Sequence, residues 1–271
     1  PDGIGKEEVG NRNHLKHLVP VLVPGVQPPG ILYQDAHILL FHKPADMLSQ
    51  KASVSDVSLV EYLNAYLLAS GCMTQQQMQR THPAICNRLD RNTSGIVIAG
   101  ISLTGLQTMN RLIKERSIRK YDRCIVCGSM RGVGHLRGYL RKDKKTNTVT
   151  VKDTCSVSKP EGDDKAIETE YRVLSSANGL SLLEVHLITG RSHQIRAHLA
   201  SIGHPILGDM KYGDASINRF YAASHGVDHQ LLHAYRLEFP QIEGTLSYLS
   251  GRTFCDPMPE LFLQLVPFTE E

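Results

Sequence analysis

The sequence predicts an α+β fold, a mixed and mainly antiparallel central sheet flanked by helices. From Tyr121 onward, β-prone runs dominate. They follow one another through local reversals such as Asn178-Gly179 and do not alternate regularly with helices, which favours antiparallel pairing. The chain has 271 residues, 41% of them hydrophobic and 21% charged, so it is an ordinary globular chain that can bury a sizeable core.

Residues 1–30 end in VPGVQPPG and read as an extended tail or linker, with residues 31–271 forming one domain. In ILYQDAHILLFHKP two β-prone runs flank an Asp-Ala turn, the pattern of a hairpin. Leu59, Leu63 and Leu67 then recur at helical spacing, with Gly71 as the stop. A short strand, IVIA at 96–99, precedes a helix capped by Ser102, whose buried stripe is expected to be Leu103, Leu106, Met109 and Ile113. Five strand-like runs follow: YDRCIVCG, HLRGYL, TVTV, AIETEYRVL and LSLLEVHLI. One helix interrupts them, in SHQIRAHLASIG, with Ser192 expected as its N-cap and Gly203 as its left-handed end. The stretch 209–229 reads as irregular, and LLHAYRLEF as a last strand.

No apolar run approaches the roughly 18–20 residues of a membrane span, and PDGIGKEEVG lacks a secretory core, so a cytoplasmic protein without a membrane partner is expected. The six cysteines read as reduced and structural in a chain of this size. Cys124-x-x-Cys127 lies inside a strand-like run and lacks a second pair to complete a zinc site. A net charge of +3 is too mild to identify a nucleic-acid partner, so the placement of charge matters more.

Two segments are equipped for chemistry. NRLDRNTSG, residues 87–95, brackets Asp90 between Arg88 and Arg91, and a neighbouring guanidinium favours the ionised form of a carboxylate. As an isolated string it more often marks a surface ion pair or a turn. LITGRSHQIRAHLASIGHPILGDMKYG, residues 187–213, sets Arg191 at a strand-to-helix junction and Arg196 within the helix, where either can hold phosphate or a carboxylate. His193 and His198 are five apart with no glutamate between them, which is not a metalloprotease pair.

Together, NRLDRNTSG, RKYDRCIV, AIETEYRVL, GRSHQIRAHLASIGHPILGDMKYG and LLHAYRLEF resemble the RluA-like family of RNA pseudouridine synthases in order and spacing over residues 31–240. The resemblance implies the pseudouridine synthase fold, with residues 31–271 as the catalytic domain. It places the family's catalytic nucleophile or base on Asp90, an arginine near the flipped nucleotide on Arg88, the base-packing tyrosine on Tyr121, the basic partner of the aspartate on Arg196, and an apolar pocket residue on Leu232. Asn87 replaces the family's usual histidine. An aromatic platform recovers about 1–3 kcal/mol for a base pulled from its stack.

The implied reaction is an isomerisation: the ribose bond to a base nitrogen breaks, uracil turns, and carbon 5 bonds to the same ribose carbon. It needs no redox equivalent, so no cofactor or metal is expected, in keeping with the lack of a Walker loop or G-x-G-x-x-G turn. Asp90 either adds to the ribose or removes one of its protons. The expected partner is structured RNA, ribosomal more than transfer, with no obligatory protein partner. Lys114, Arg116, Arg119, Lys120 and Arg123, with Arg137, Arg141, Lys142, Lys144 and Lys145, are candidate phosphate contacts. Family relatives often carry a small S4 domain ahead of the catalytic one, and residues before Ile31 are too few to be that module. Two other functions fit the same residues: a non-catalytic RNA-binding protein on this fold, and a glycosidase that releases free uracil.

Overall fold

The computed structural model describes residues 28–143, 145–153 and 162–269. Most of the expected tail, Lys144 and Cys155 lie outside the described residues. The chain forms an eleven-stranded sheet in the order β1-β2-β4-β10-β5-β9-β8-β6-β7, with β3 beside β4 and β11 beside β10. Within it, only β4 and β10 pair in parallel, so the mixed, mainly antiparallel architecture agrees with the sequence pattern.

Strands β1 (Gly30–Gln34) and β2 (Ile38–Lys43) form the expected hairpin. Helix α1 (Leu59–Ala69) starts in a capping box between Ser58 and Glu61 and buries Leu59, Leu63 and Leu67. Helix α2 (Gln75–Thr81) was not legible: its one apolar residue, Met78, packs only partly buried against the α1 core, so no hydrophobic period marks it. Strands β3 (Ala84–Ile85) and β4 (Ser94–Gly100) flank the Asp90 segment. Alternation along β4 sends Val97 and Ala99 against α1, and Ile96 and Ile98 against α3 (Leu103–Lys114). Ser102 caps α3 as expected, but its inner face is Gly105, Met109 and Leu112, and Leu103 is 62% exposed. The stripe is rotated because Gly105 sits against the His37 carbonyl, where any side chain would clash.

Strands β5 (Arg119–Cys127), β6 (Val133–Asp143), β7 (Thr148–Asp153), β8 (Lys165–Ala177) and β9 (Leu180–Leu187) match the five predicted runs. Asn178 and Gly179 both adopt positive φ, as a two-residue hairpin turn requires. Cys124 and Cys127 enter different core clusters on opposite faces of β5, so they cannot chelate one ion together.

Helix α4 (Gln194–Ser201) packs Ile195 and Leu199 onto β5 and β9. Its N-cap is His193 at φ 55° and not Ser192, and the cap makes no side-chain hydrogen bond. The stretch 209–229 is not wholly irregular: α5 (Ala215–His225) occupies it, capped by Asp214 through the amides of Ser216 and Ile217. Strand β10 (Leu232–Glu238) then enters between β4 and β5, and β11 (Thr253–Cys255) and α6 (Glu260–Leu265) complete the chain. Gly95, at φ 115°, permits the parallel contact: a Cβ there would lie 2.3 Å from the Ala234 carbonyl. That contact joins the α1/α3 half of the sheet to the α4/α5 half and creates the cleft between them.

Candidate active site

Asp90 sits in the segment between β3 and β4, and that segment is clamped on both sides of it. Ser49 Oγ accepts from the Leu89 amide at 3.0 Å and donates to the Leu89 carbonyl at 2.8 Å. Lys43 Nζ, fully buried at the end of β2, donates to the carbonyls of Arg91, Pro44 and Met47 at 2.9, 2.9 and 2.7 Å. Burial pulls its ammonium down to about 7, against the opposing pull of Asp90 and Asp46. Asn87, the residue that departs from the family pattern, accepts from the Ile98 amide at 2.7 Å and donates to the Ile96 carbonyl at 3.4 Å, tying the segment to β4. Lys43 and Ser49 escaped the sequence reading because they lie 47 and 41 positions before Asp90, and nothing in the KPADMLSQ string ties them to it.

The partner of Asp90 is Arg196 on α4. Arg196 Nη1 donates to Asp90 Oδ2 at 2.8 Å, while Nε and Nη2 donate to the two oxygens of Asp209 at 2.7 and 2.8 Å. Asp209 is wholly buried and also accepts from the amides of Lys211 and Tyr212. Burial pulls the Arg196 guanidinium down and the two carboxylates, Asp209 first, raise it further, so it stays charged. Burial likewise raises Asp209, and the Arg196 hydrogen bonds outweigh it and hold the acid low. The bidentate pair fixes the plane of the guanidinium, and its remaining nitrogen holds Asp90. Neither Arg88 nor Arg91 does so: Arg88 is exposed, and Arg91 reaches toward Asp46 at 3.9 Å.

His193 stands beside this pair, its Nε2 4.0 Å from Asp90 Oδ2. Tyr212 Oη accepts from the Val149 amide at 2.9 Å and is hydrogen-bonded to His193 Nδ1 at 2.8 Å. This contact fixes the ring so that Nε2 faces Asp90. Burial, first among its causes, lowers the His193 pKa.

A cavity of about 990 Å³ opens over Asp90, large enough for a nucleotide. Arg88, Asp90, Tyr121 and Arg196 border it, together with Lys120, Asp122, Lys142, Arg191, Ala234 and Leu237. Among the described residues that line it, lysines and arginines far outnumber the two carboxyl groups, Asp90 and Asp122.

Three expectations are corrected. Tyr121 borders the cavity, but its ring is not free for a base: His186 of β9 stacks on it at 4.9 Å, and the Arg236 guanidinium of β10 lies 4.1 Å away. Because β5 runs between β9 and β10, the two cover opposite faces of the ring. Alternation turns its neighbour, Asp122, to the face that carries α4. In RKYDRCIV, Tyr121 directly follows Lys120, and Asp122 stands two places after that lysine, on the same face of β5 as it. Leu232 does not line the cavity; it packs under Ile195 and Leu199, and Ala234 and Leu237 further along β10 reach the cavity instead. Arg123 is only 5% exposed, pairs with Glu184 and lies 3.6 Å over the Tyr235 ring, so it cannot meet a phosphate. Arg137 and Arg141 are ion-paired with Glu168 and Asp164.

The model of a family described as RNA pseudouridylate synthase matches residues 37–201, more than half of the chain. The chain belongs to the RNA pseudouridylate synthase family. The matched span contains Asp90, Tyr121, Asp122 and Arg196, and ends at α4. Among family relatives, an uncharacterized RNA pseudouridine synthase of Mycoplasma genitalium is 32% identical over 79% of this chain and 64% of its own length. The ribosomal large subunit pseudouridine synthase D of Borreliella burgdorferi is 31% identical over 80% and 63%. This chain therefore spans less than two thirds of both. The tRNA pseudouridine synthase C of Salmonella typhimurium is 30% identical over 77% of this chain and 78% of its own. The solved structure of human RNA Pseudouridylate Synthase Domain Containing 4 has the same fold, with a TM-score of 0.64 at 21% identity, covering 86% of this chain and 90% of that one.

Proposed function

We propose that this protein is an RNA pseudouridine synthase that isomerises particular uridines in structured RNA, ribosomal RNA being favoured over transfer RNA as the substrate, in the cytoplasm, with residues 31–271 as its catalytic domain and Asp90 as nucleophile or base. The observation that carries this reading is the Asp90 carboxylate held at 2.8 Å by Arg196 beneath a cavity of nucleotide size. Family membership supplies the reaction class. Clamps at Leu89 and Arg91 fix the carboxylate before substrate arrives, which lowers the cost of reaching a productive geometry. Flipping the uridine costs a few kcal/mol, and backbone contacts must offset it. The exposed cations at the cavity rim, Arg88, Lys142, Arg191 and Lys211, are placed to make them, while Lys114, Arg116 and Arg119 flank the start of β5.

Two measurements test the reading. Incubation of transcribed large-subunit ribosomal RNA and transfer RNA with the protein should yield carbodiimide-reactive pseudouridine with no change in RNA mass. An abasic site would point to a base-releasing glycosidase, and unmodified uridine to a binding protein. Affinity should fall linearly in log Kd against log salt, and Lys142→Ala with Arg191→Ala should lower that slope by roughly two. Affinity that does not change with salt would remove the rim cations from phosphate binding.

A further inference from the structure

Under the proposed reaction, and resting on it, one chemical need is unmet by Asp90. Once carbon 5 of uracil has bonded to the ribose carbon, it still carries its hydrogen. That proton must leave so that its electron pair restores the bond between carbons 5 and 6, while the nitrogen freed from the ribose takes up a proton. The requirement is the same whether Asp90 adds to the sugar or abstracts from it. Asp90 serves the ribose side and is engaged by Arg196.

We infer that Asp122 is the catalytic base that removes the carbon 5 proton, from its place on the cavity floor facing the same space as Asp90. The alternation of β5 puts the Asp122 side chain with Lys120 and Cys124 on the face covered by α4, and its register partners are Ala234 on β10 and Val185 on β9. It is 5% exposed, borders the cavity and makes no side-chain hydrogen bond to any described residue. A buried acid with no partner is costly to keep unless a ligand uses it. The strand beneath it is paired on both sides, so its position is rigid.

Three other groups near the cavity are engaged by neighbours, and Lys120, on the same face of β5, is a cation beside the Asp122 carboxyl. His193 Nδ1 is hydrogen-bonded to Tyr212 Oη, and its Nε2 faces the Asp90 carboxylate at 4.0 Å. Lys43 is sealed under the Asp90 segment, donating to three carbonyls. Tyr121 borders the cavity, but both faces of its ring are covered, by His186 and by the Arg236 guanidinium.

The electrostatics suit a group that both takes and returns a proton. Burial pushes the Asp122 carboxyl up to about 7; Lys120 opposes that shift and Asp90 adds to it. The charged and titratable groups around the same space are Lys120 and Tyr121 on its own strand, Arg88, Asp90 and Arg91 from the β3–β4 segment, Lys142 on β6, Arg191, His193 and Arg196 at α4, Lys211 after it and Arg236 on β10, whereas the residues directly beside Asp122 on β9 and β10 are Val185 and Ala234. As carboxylate, Asp122 accepts the carbon 5 proton; as acid, it gives that proton to the base nitrogen or to solvent, and the atoms balance.

The test uses the 271-residue chain and transcribed ribosomal and transfer RNA carrying uridine tritiated at carbon 5. Wild type should release tritium as pseudouridine forms, with a rate that falls as pH drops through about 7, where Asp122 becomes protonated. Asp122→Asn should slow release by about 100-fold or more, abolish that acidic limb and change RNA affinity by less than about threefold. It should also unmask a primary isotope effect with 5-deuterated uridine, and Asp122→Glu should recover part of the rate. Folding is not at risk from the lost charge: a buried acid with a raised pKa costs stability as pH rises from its unfolded value through the folded one, and Asn removes that cost. Should Asp122→Asn nevertheless precipitate, the wild-type pH profile decides, and a flat profile from pH 6 to 8 overturns the assignment. Release by Asp122→Asn within about threefold of wild type also overturns it, leaving the proposed activity intact. Absence of any pseudouridine from wild type would overturn both.

Discussion

Asp90→Asn is expected to reduce pseudouridine formation by at least about 1,000-fold, a barrier increase of about 4 kcal/mol, while leaving the protein folded. The amide is isosteric with the carboxylate but is neither a nucleophile nor a base. Its loss of charge removes one of two anions around Arg196; the other, Asp209, keeps two hydrogen bonds to that guanidinium, so the cation is not stranded. The Asp90 side chain is 25% exposed, and the stability cost should be about 1–2 kcal/mol, that of one charged hydrogen bond at a partly solvated site. Thermal unfolding separates the two effects. A variant that melts near wild type yet makes no product places Asp90 in the chemistry, and one that makes product at the wild-type rate removes it.

How much of this was legible in the sequence depended on whether a feature was local. The hairpin, the capped α3 and the Asn178-Gly179 reversal follow from short-range chemistry, and the structure has them. Helix α2 buries no side chain and α5 buries only Asn218, so neither writes a hydrophobic period into the sequence; their caps, Thr74 and Asp214, were the available signals. Asp90 and Arg196 were found through motifs, but the reason they meet is the parallel contact of β4 with β10 and the packing of α4, which no local pattern encodes. Flanking arginines were the natural reading of R-x-D-R, yet the arginine that binds Asp90 is 106 residues away. Tyr121 illustrates the sharpest limit. A shift of one residue along a strand sends a side chain to the other face, so Tyr121 reaches the cavity only at its border with its ring held between His186 and Arg236, while Asp122 faces α4. Asp122 was passed over because an acid beside a tyrosine in a strand carries no sign of which face it takes.

The second large effect concerns the anchor and not the chemistry. Arg196→Leu should destabilise the fold by about 3–5 kcal/mol, because it removes the cation from between two acids and leaves Asp209 buried with only the amides of Lys211 and Tyr212. In wild type the Arg196 bonds outweigh burial and hold Asp209 below its ordinary value, so its favourable contribution is present above that value and lost as pH falls through the depressed one. In Arg196→Leu, burial acts almost alone and the acid is raised, so the variant should gain stability as pH is lowered toward about 4 while wild type does not. Urea midpoints compared at pH 8 and pH 4.5 should therefore converge. Asp209→Asn added to Arg196→Leu should restore part of the loss at pH 8, since the stranded charge goes with it. Midpoints for Arg196→Leu that match wild type at pH 8, or a gap that widens on acidification, would show that the buried Arg196–Asp209 pair does not hold α4 to the Asp90 segment.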